Sequence, residues 1–104
     1  MTDKMAVFAK LTAKPGGRDA MLSALELMFE RVATEPGTEV YALHADLADD
    51  DVCWFYELYT DGDAATAHGS SDAMKRAMTD WGDLLAGRPE ITLVAPTRAK
   101  GLDL

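Results

Sequence analysis

The 104-residue sequence predicts a single α+β domain of ferredoxin-like βαββαβ order. Three observations predict it. Four apolar or aromatic runs of strand length alternate with stretches of helical period in the order strand, helix, strand, strand, helix, strand. Pro and Gly clusters fall between these runs and not inside them. The strands are apolar on both alternating sets, so both sides of a sheet built from them need cover.

The first strand runs from Lys4 to Ala13, with Met5, Val7, Ala9 and Leu11 on one set and Ala6 and Phe8 opening the other. Pro15-Gly16-Gly17 breaks it, because Pro cannot donate to a ladder and Gly permits the turn. A helix follows from Asp19 to about Thr34, its apolar stripe formed by Met21, Leu25, Met28 and Val32 and widened by Leu22 and Phe29. Glu35-Pro36-Gly37 stops it, since the residue before Pro is pushed out of the α region. Glu39–Asp46 and Val52–Thr60 read as two strands joined by an Asp-rich turn. In the second of them Val52, Trp54, Tyr56 and Leu58 point one way, and Cys53, Phe55, Glu57 and Tyr59 the other. A short helix is expected over Gly62–His68 and a longer one over Asp72–Ala86. The longer helix has Met74, Met78, Trp81 and Leu85 as its buried stripe and Ser70 or Ser71 as N-cap. Gly87-Arg88-Pro89 ends it, and Ile91–Pro96 is the last strand.

One domain spanning 1–104 is therefore expected, with a core over about 4–96 and a tail over 97–104. Composition agrees: 48% hydrophobic and 27% charged residues describe a chain that buries a core and does not stay disordered. Right-handed crossovers put both helical layers on one face of a four-stranded antiparallel sheet. The other face then carries an alternating set rich in apolar residues, too large to leave open on a monomer. The expected remedy is a homodimer with the two sheets packed face to face.

A formal charge of −8 and the absence of a basic stripe exclude a nucleic-acid binder. No apolar run approaches 18 residues, the charge disfavours an anionic membrane surface, and the N-terminus lacks signal-peptide regions, so a cytoplasmic protein is expected. Cys53 is the only cysteine, which excludes an internal disulfide and any CxxC metal knuckle. No G-x-G-x-x-G, G-x-S-x-G or Cys/His dyad occurs, so neither a nucleotide cofactor nor a bound metal is expected. The Asp46, Asp49, Asp50 and Asp51 cluster lacks EF-hand spacing and reads as a solvated turn.

The ordered set Glu35-Pro36-Gly37, Tyr41-Ala42-Leu43-His44, Tyr56-Glu57-Leu58-Tyr59, then Ala65 and Ala67-His68 resembles the antibiotic biosynthesis monooxygenase family from Val7 to about Val94. The resemblance implies the dimeric α/β barrel fold. The family's E-x-W has Tyr59 in place of Trp here, and its second His is replaced by the run Ser71-Asp72-Ala73. The haem-degrading branch uses Asn, Trp and His where this chain has Val7, Tyr59 and Met78, so the resemblance does not extend to haem cleavage.

Within that frame His68 and Glu57 are the candidate catalytic residues. An imidazole suits general-base work near neutral pH, and a mid-strand carboxyl on an apolar face must be paired, protonated or wet. The competing reading is structural: His68 fastens the short helix to the sheet, and Glu57 fixes it there. Tyr59, Phe55, Phe8 and Trp81 are the candidate substrate-binding residues, an aromatic wall that also reads as core. His44 falls on the other set and is placed to contact a partner subunit. The resemblance implies a monooxygenase without a cofactor, which oxidises an electron-rich small aromatic such as a quinol or polyketide-like phenol with dioxygen. The alternative is a non-catalytic small-molecule-binding or stress-associated dimer on the same fold. An open cavity beside His68 and Glu57 separates the two.

Overall fold

A computed structural model describes residues 2–104; Met1, the first residue of the expected domain, lies outside the described residues. The elements are β1 (Met5–Thr12), α1 (Arg18–Val32), β2 (Thr38–Ala45), β3 (Val52–Tyr59), α2 (Gly62–Gly69), α3 (Asp72–Trp81) and β4 (Glu90–Val94). The strands form one antiparallel sheet in the order β2-β3-β1-β4, the α+β ferredoxin-like fold that the element order predicts.

Period-two alternation decides which side chains meet the helices. Ala9 and Leu11 of β1 and Cys53 and Phe55 of β3 join Met21, Leu25 and Met28 of α1 and Ala77 and Trp81 of α3 in one core. Burying each larger apolar side chain contributes roughly 1.5–3 kcal/mol, so this layer is the main source of stability. α1 turns its Met21–Leu25–Met28 stripe inward, as the sequence predicts.

Two features depart from the sequence reading. α3 stops at Trp81 and does not reach Ala86. Gly82 caps it, and the next residues satisfy their backbone groups elsewhere: the Leu84 amide turns back to the Trp81 carbonyl, and the Ala86 amide donates to Thr12 of β1. Glycine is a poor helix former, and pairing with the end of β1 offers the chain a competing set of bonds. The buried stripe of α3 also differs. Met78 is 58% exposed, whereas Ala77 is buried, because α3 packs sideways on α1 through Ala77 and Trp81 and not flat on the sheet. The Trp81 indole N–H donates to the Ala24 carbonyl of α1 at 3.3 Å, which fixes that rotation. Of the two candidate N-caps, Ser71 takes the role, accepting the Met74 amide at 3.1 Å.

The far side of the sheet carries Phe8, Tyr56, Trp54, Val40, Ala42 and His44. Phe8 (44% exposed) packs on Tyr56 with ring centroids 5.4 Å apart and the planes tilted by 43°. The Lys10 ammonium lies 5.6 Å above the Trp54 ring. The end of the chain returns to the start of β1, where the Lys4 ammonium holds the Asp103 carbonyl. No helix of the described residues is long and apolar enough to cross a membrane.

Candidate functional site

Glu57 is the only acidic residue on β3, and alternation turns it toward the helices opposite Val7 of β1 and Tyr41 of β2. It is buried there. Burial raises its carboxyl above the ordinary range, against the Tyr59 hydrogen bond and the nearby His68, which pull it down. The Tyr59 hydroxyl donates to Glu57 Oε1. Burial first, and then that carboxyl, hold the Tyr59 hydroxyl well above the usual phenol range.

His68 reaches the same place from α2. Asp61 caps that helix by accepting the Ala64 amide at 2.8 Å, and His68 falls in its last turn. The helix can sit this close to the sheet only because residue 37 is glycine. A Cβ at Gly37 would lie 2.5 Å from Ala64 Cβ. The imidazole is 4% exposed and is sandwiched between Tyr41 and Tyr59, at ring distances of 5.2 and 5.6 Å. Its Nδ1 lies 2.8 Å from Glu35 Oε1. Its Nε2 is buried with no hydrogen-bond partner among the described residues, and the nearest carboxyl oxygen, Glu57 Oε1, is 4.0 Å away.

Glu35 sits in the turn after α1. Burial alone would raise its carboxyl, but hydrogen bonds from His68 and Thr38, together with the His68 and Arg31 contacts, carry it below the ordinary range. The Thr38 hydroxyl donates to Oε1 at 2.9 Å and the Arg31 Nε to Oε2 at 3.1 Å.

Beside this chain of groups a cavity of about 480 Å³ opens between the sheet and the segment joining α3 to β4. Its walls are apolar, with Leu11, Phe55, Met74, Trp81, Leu85 and Ile91 prominent. Glu57, Tyr41 and Arg88 supply its polar side chains besides the Trp81 indole. The size and the ratio of apolar wall to polar groups suit a small organic ligand. Burial, and then the neighbouring Glu57 and Glu35, hold the Tyr41 hydroxyl far above the ordinary phenol range, so it is a donor and not a base.

The structure separates the residues that the sequence grouped. Glu57, Phe55 and Trp81 line the cavity. His68 and Tyr59 do not; they lie behind Glu57, joined to it by proximity and by a hydrogen bond. Phe8 is corrected outright: residues 5, 7, 9 and 11 face the helices, so residue 8 faces away, on the opposite side of the sheet from the cavity. Two residues were not singled out from the sequence. Tyr41 stood only within a motif, and Glu35 only within the Glu35-Pro36-Gly37 motif that also ends the first helix. No spacing rule pairs positions 35 and 68; the one hint was a carboxylate beside Pro-Gly, where a turn holds the side chain still. Among the described residues no group of three His, Cys, Asp or Glu side chains is placed to hold a metal ion.

Residues 5–80 match the profile of a family described as antibiotic biosynthesis monooxygenase. Among solved structures, a candidate antibiotic biosynthesis monooxygenase from Caulobacter crescentus is 30% identical, with TM-score 0.86 over 93% of this chain and 92% of that one. Rv0793 from Mycobacterium tuberculosis is 26% identical, with TM-score 0.84 over 92% of this chain and 97% of that one. A Nitrosomonas europaea protein, 17% identical, shares the fold at TM-score 0.88 over 97% of both chains. Among curated proteins none matches this chain.

Proposed function

Because the chain belongs to the antibiotic biosynthesis monooxygenase family, we propose that it oxidises an electron-rich aromatic hydroxyl compound, a quinol or a polyketide-like phenol, with dioxygen and without a bound redox group. The observation that carries this is the single carboxyl, Glu57, buried in the wall of a largely apolar cavity of about 480 Å³. Aromatic walls from Phe55 and Trp81 suit a flat ring, and the Glu57 carboxyl is the one group there that can take a proton from its hydroxyl. Its raised proton affinity brings it closer to a phenol's than an exposed carboxylate would be, which eases the transfer.

Removing that proton makes the ring a stronger reductant. For a phenol with a free ring position the balance closes without another reductant. One oxygen atom enters the ring, the two hydrogens lost form water with the other, and four electrons pass from substrate to dioxygen. The protein contributes a base, a fixed ring orientation and a site that sheds water.

The far side of the sheet supports a second element of this reading, a homodimer. Phe8, Trp54 and Tyr56 present aromatic surface that a second sheet would cover. Cytoplasmic location and the absence of nucleic-acid partners complete the proposal.

The test is oxygen uptake with a menadiol-type quinol and with a bicyclic phenol, each measured above its autoxidation rate. Excess uptake that falls about 100-fold or more in Glu57→Gln is expected. Uptake no faster than autoxidation, with tight binding of the same compounds, would make the chain a binding protein.

A further inference from the structure

We infer that Glu35 is a positioning residue, holding His68 in the one orientation and tautomer that lets Nε2 accept the proton Glu57 takes from a bound hydroxyl. The inference rests on the reading that Glu57 meets the substrate, and it adds a route for the proton beyond that carboxyl.

Glu35 is the anchor of this arrangement. Its carboxylate receives three donors, from His68, Thr38 and Arg31, and a carboxylate so placed is an acceptor only. His68 Nδ1 at 2.8 Å must therefore carry a hydrogen. In the neutral ring the other nitrogen, Nε2, is then a bare lone pair. That nitrogen is buried, has no donor among the described residues, and lies 4.0 Å from Glu57 Oε1. With the opposite tautomer the ring would present an N–H to Glu57 and could accept nothing from it.

The groups facing the imidazole are few. Tyr41 of β2 and Tyr59 of β3 flank it, and both hydroxyls are kept protonated by burial, so neither competes as a base. Glu57 of β3 stands at Nε2, Glu35 at Nδ1, and Arg31 of α1 touches only the far oxygen of Glu35. Two proton transfers follow. The substrate O–H breaks as a Glu57 O–H forms; that O–H then breaks as the His68 Nε2–H forms. The Nε2–Glu57 gap closes by about 1 Å for the second transfer, which a side-chain torsion of Glu57 supplies. The products are a phenolate and an imidazolium, and the imidazolium is faced on its far side by the Glu35 carboxylate. Glu57 is left ready for another proton.

The experiment is long-range ¹H–¹⁵N correlation NMR on protein labelled at histidine, whose two histidines, His44 and His68, give separate patterns. It is recorded on the alkaline side of the imidazole titration. Wild type is expected to show His68 as one tautomer, Nδ1 pyrrole-type and Nε2 pyridine-type, and Glu57→Gln is expected to keep it. In Glu35→Gln the amide can donate as well as accept, so the second tautomer appears. Oxygen uptake by Glu35→Gln should show kcat reduced about 10-fold or more with KM unchanged, since Glu35 lines no part of the cavity. An Nε2–H tautomer in wild type overturns the inference before any variant is made. An unaltered His68 pattern in a folded Glu35→Gln protein also overturns it. No oxygen uptake by wild type, with the Nδ1–H tautomer in place, sinks the functional reading while leaving the positioning by Glu35 intact.

Discussion

Replacing Gly37 with alanine tests the packing that brings His68 to its partners. The added methyl carbon would stand 2.5 Å from Ala64 Cβ and 3.6 Å from Ala64 Cα. Carbon atoms in contact rest about 3.5–4.0 Å apart, so α2 has to retreat by about 1 Å. His68 follows Ala64 by one helical turn, and its Nδ1 bond to Glu35, 2.8 Å long, would stretch beyond hydrogen-bonding range. A hydrogen bond to a charged group contributes roughly 1.5–3 kcal/mol, and overpacking costs about 1–3 kcal/mol, so a loss of about 2 kcal/mol is expected. That is roughly a 30-fold fall in the folded-to-unfolded ratio. Urea denaturation with an unchanged slope measures it. The decisive control is Ala64→Gly, which removes the colliding methyl while itself costing about 1 kcal/mol as a helix glycine. The double variant should be little worse than Ala64→Gly alone, giving a coupling energy of about 1–2 kcal/mol. If Gly37→Ala shifts stability by less than about 0.5 kcal/mol, or if the two changes simply add, the close approach does not hold His68 in place.

Glu57 and Glu35 should impose opposite pH dependences on stability. The raised Glu57 carboxyl binds its proton more tightly in the native state. Its contribution is full below about 4.5 and is lost as pH rises toward its higher folded value. The lowered Glu35 carboxyl contributes above 4.5 and is lost as pH falls through its folded value. Denaturant midpoints across pH 3 to 8 should therefore show Glu57→Gln gaining on wild type as pH rises and Glu35→Gln losing; the same trend in both variants would refute the assignment. On the uncovered side of the sheet, Tyr56→Asp should convert a species of twice 11.3 kDa to a monomer by light scattering, and a wild-type monomer at micromolar concentration would end the dimer proposal. Burial pushes the Cys53 thiol up to about 11, so it should resist a disulfide reagent at pH 8 until the protein unfolds. Rapid reaction in the folded state would contradict its place in the core.

The fold was legible because its signals are local. Alternation along Val52–Tyr59 told which side chains turn inward, and the Met21, Leu25 and Met28 spacing told which side of α1 does. The end of α3 was not legible, because Leu85 continues the helical period past Gly82 and the bonds of residues 84–86 to neighbouring backbone divert the chain. Met78 misled for a related reason. Helical period locates an apolar stripe, but whether that stripe meets core or cavity depends on how α3 leans on α1. Of the candidate site, Glu57 stood out as a carboxyl in an apolar strand, and His68 through its motif. Their order from the cavity did not, nor did Glu35 behind them, because each rests on a tertiary contact between segments far apart in the chain. Phe8 failed on a single-residue question of parity that β1, apolar on both sets, leaves undecided.

The segment between Trp81 and Glu90 builds much of one cavity wall through Gly82, Leu85, Arg88 and Pro89, yet contributes none of the three buried groups behind it. Glu35, Glu57 and His68 come from earlier parts of the chain and are braced by one another. The wall and these buried groups thus lie in separate parcels of sequence. A lengthened or reshuffled 82–89 stretch would reshape the cavity without unseating the Glu57 carboxyl inside it.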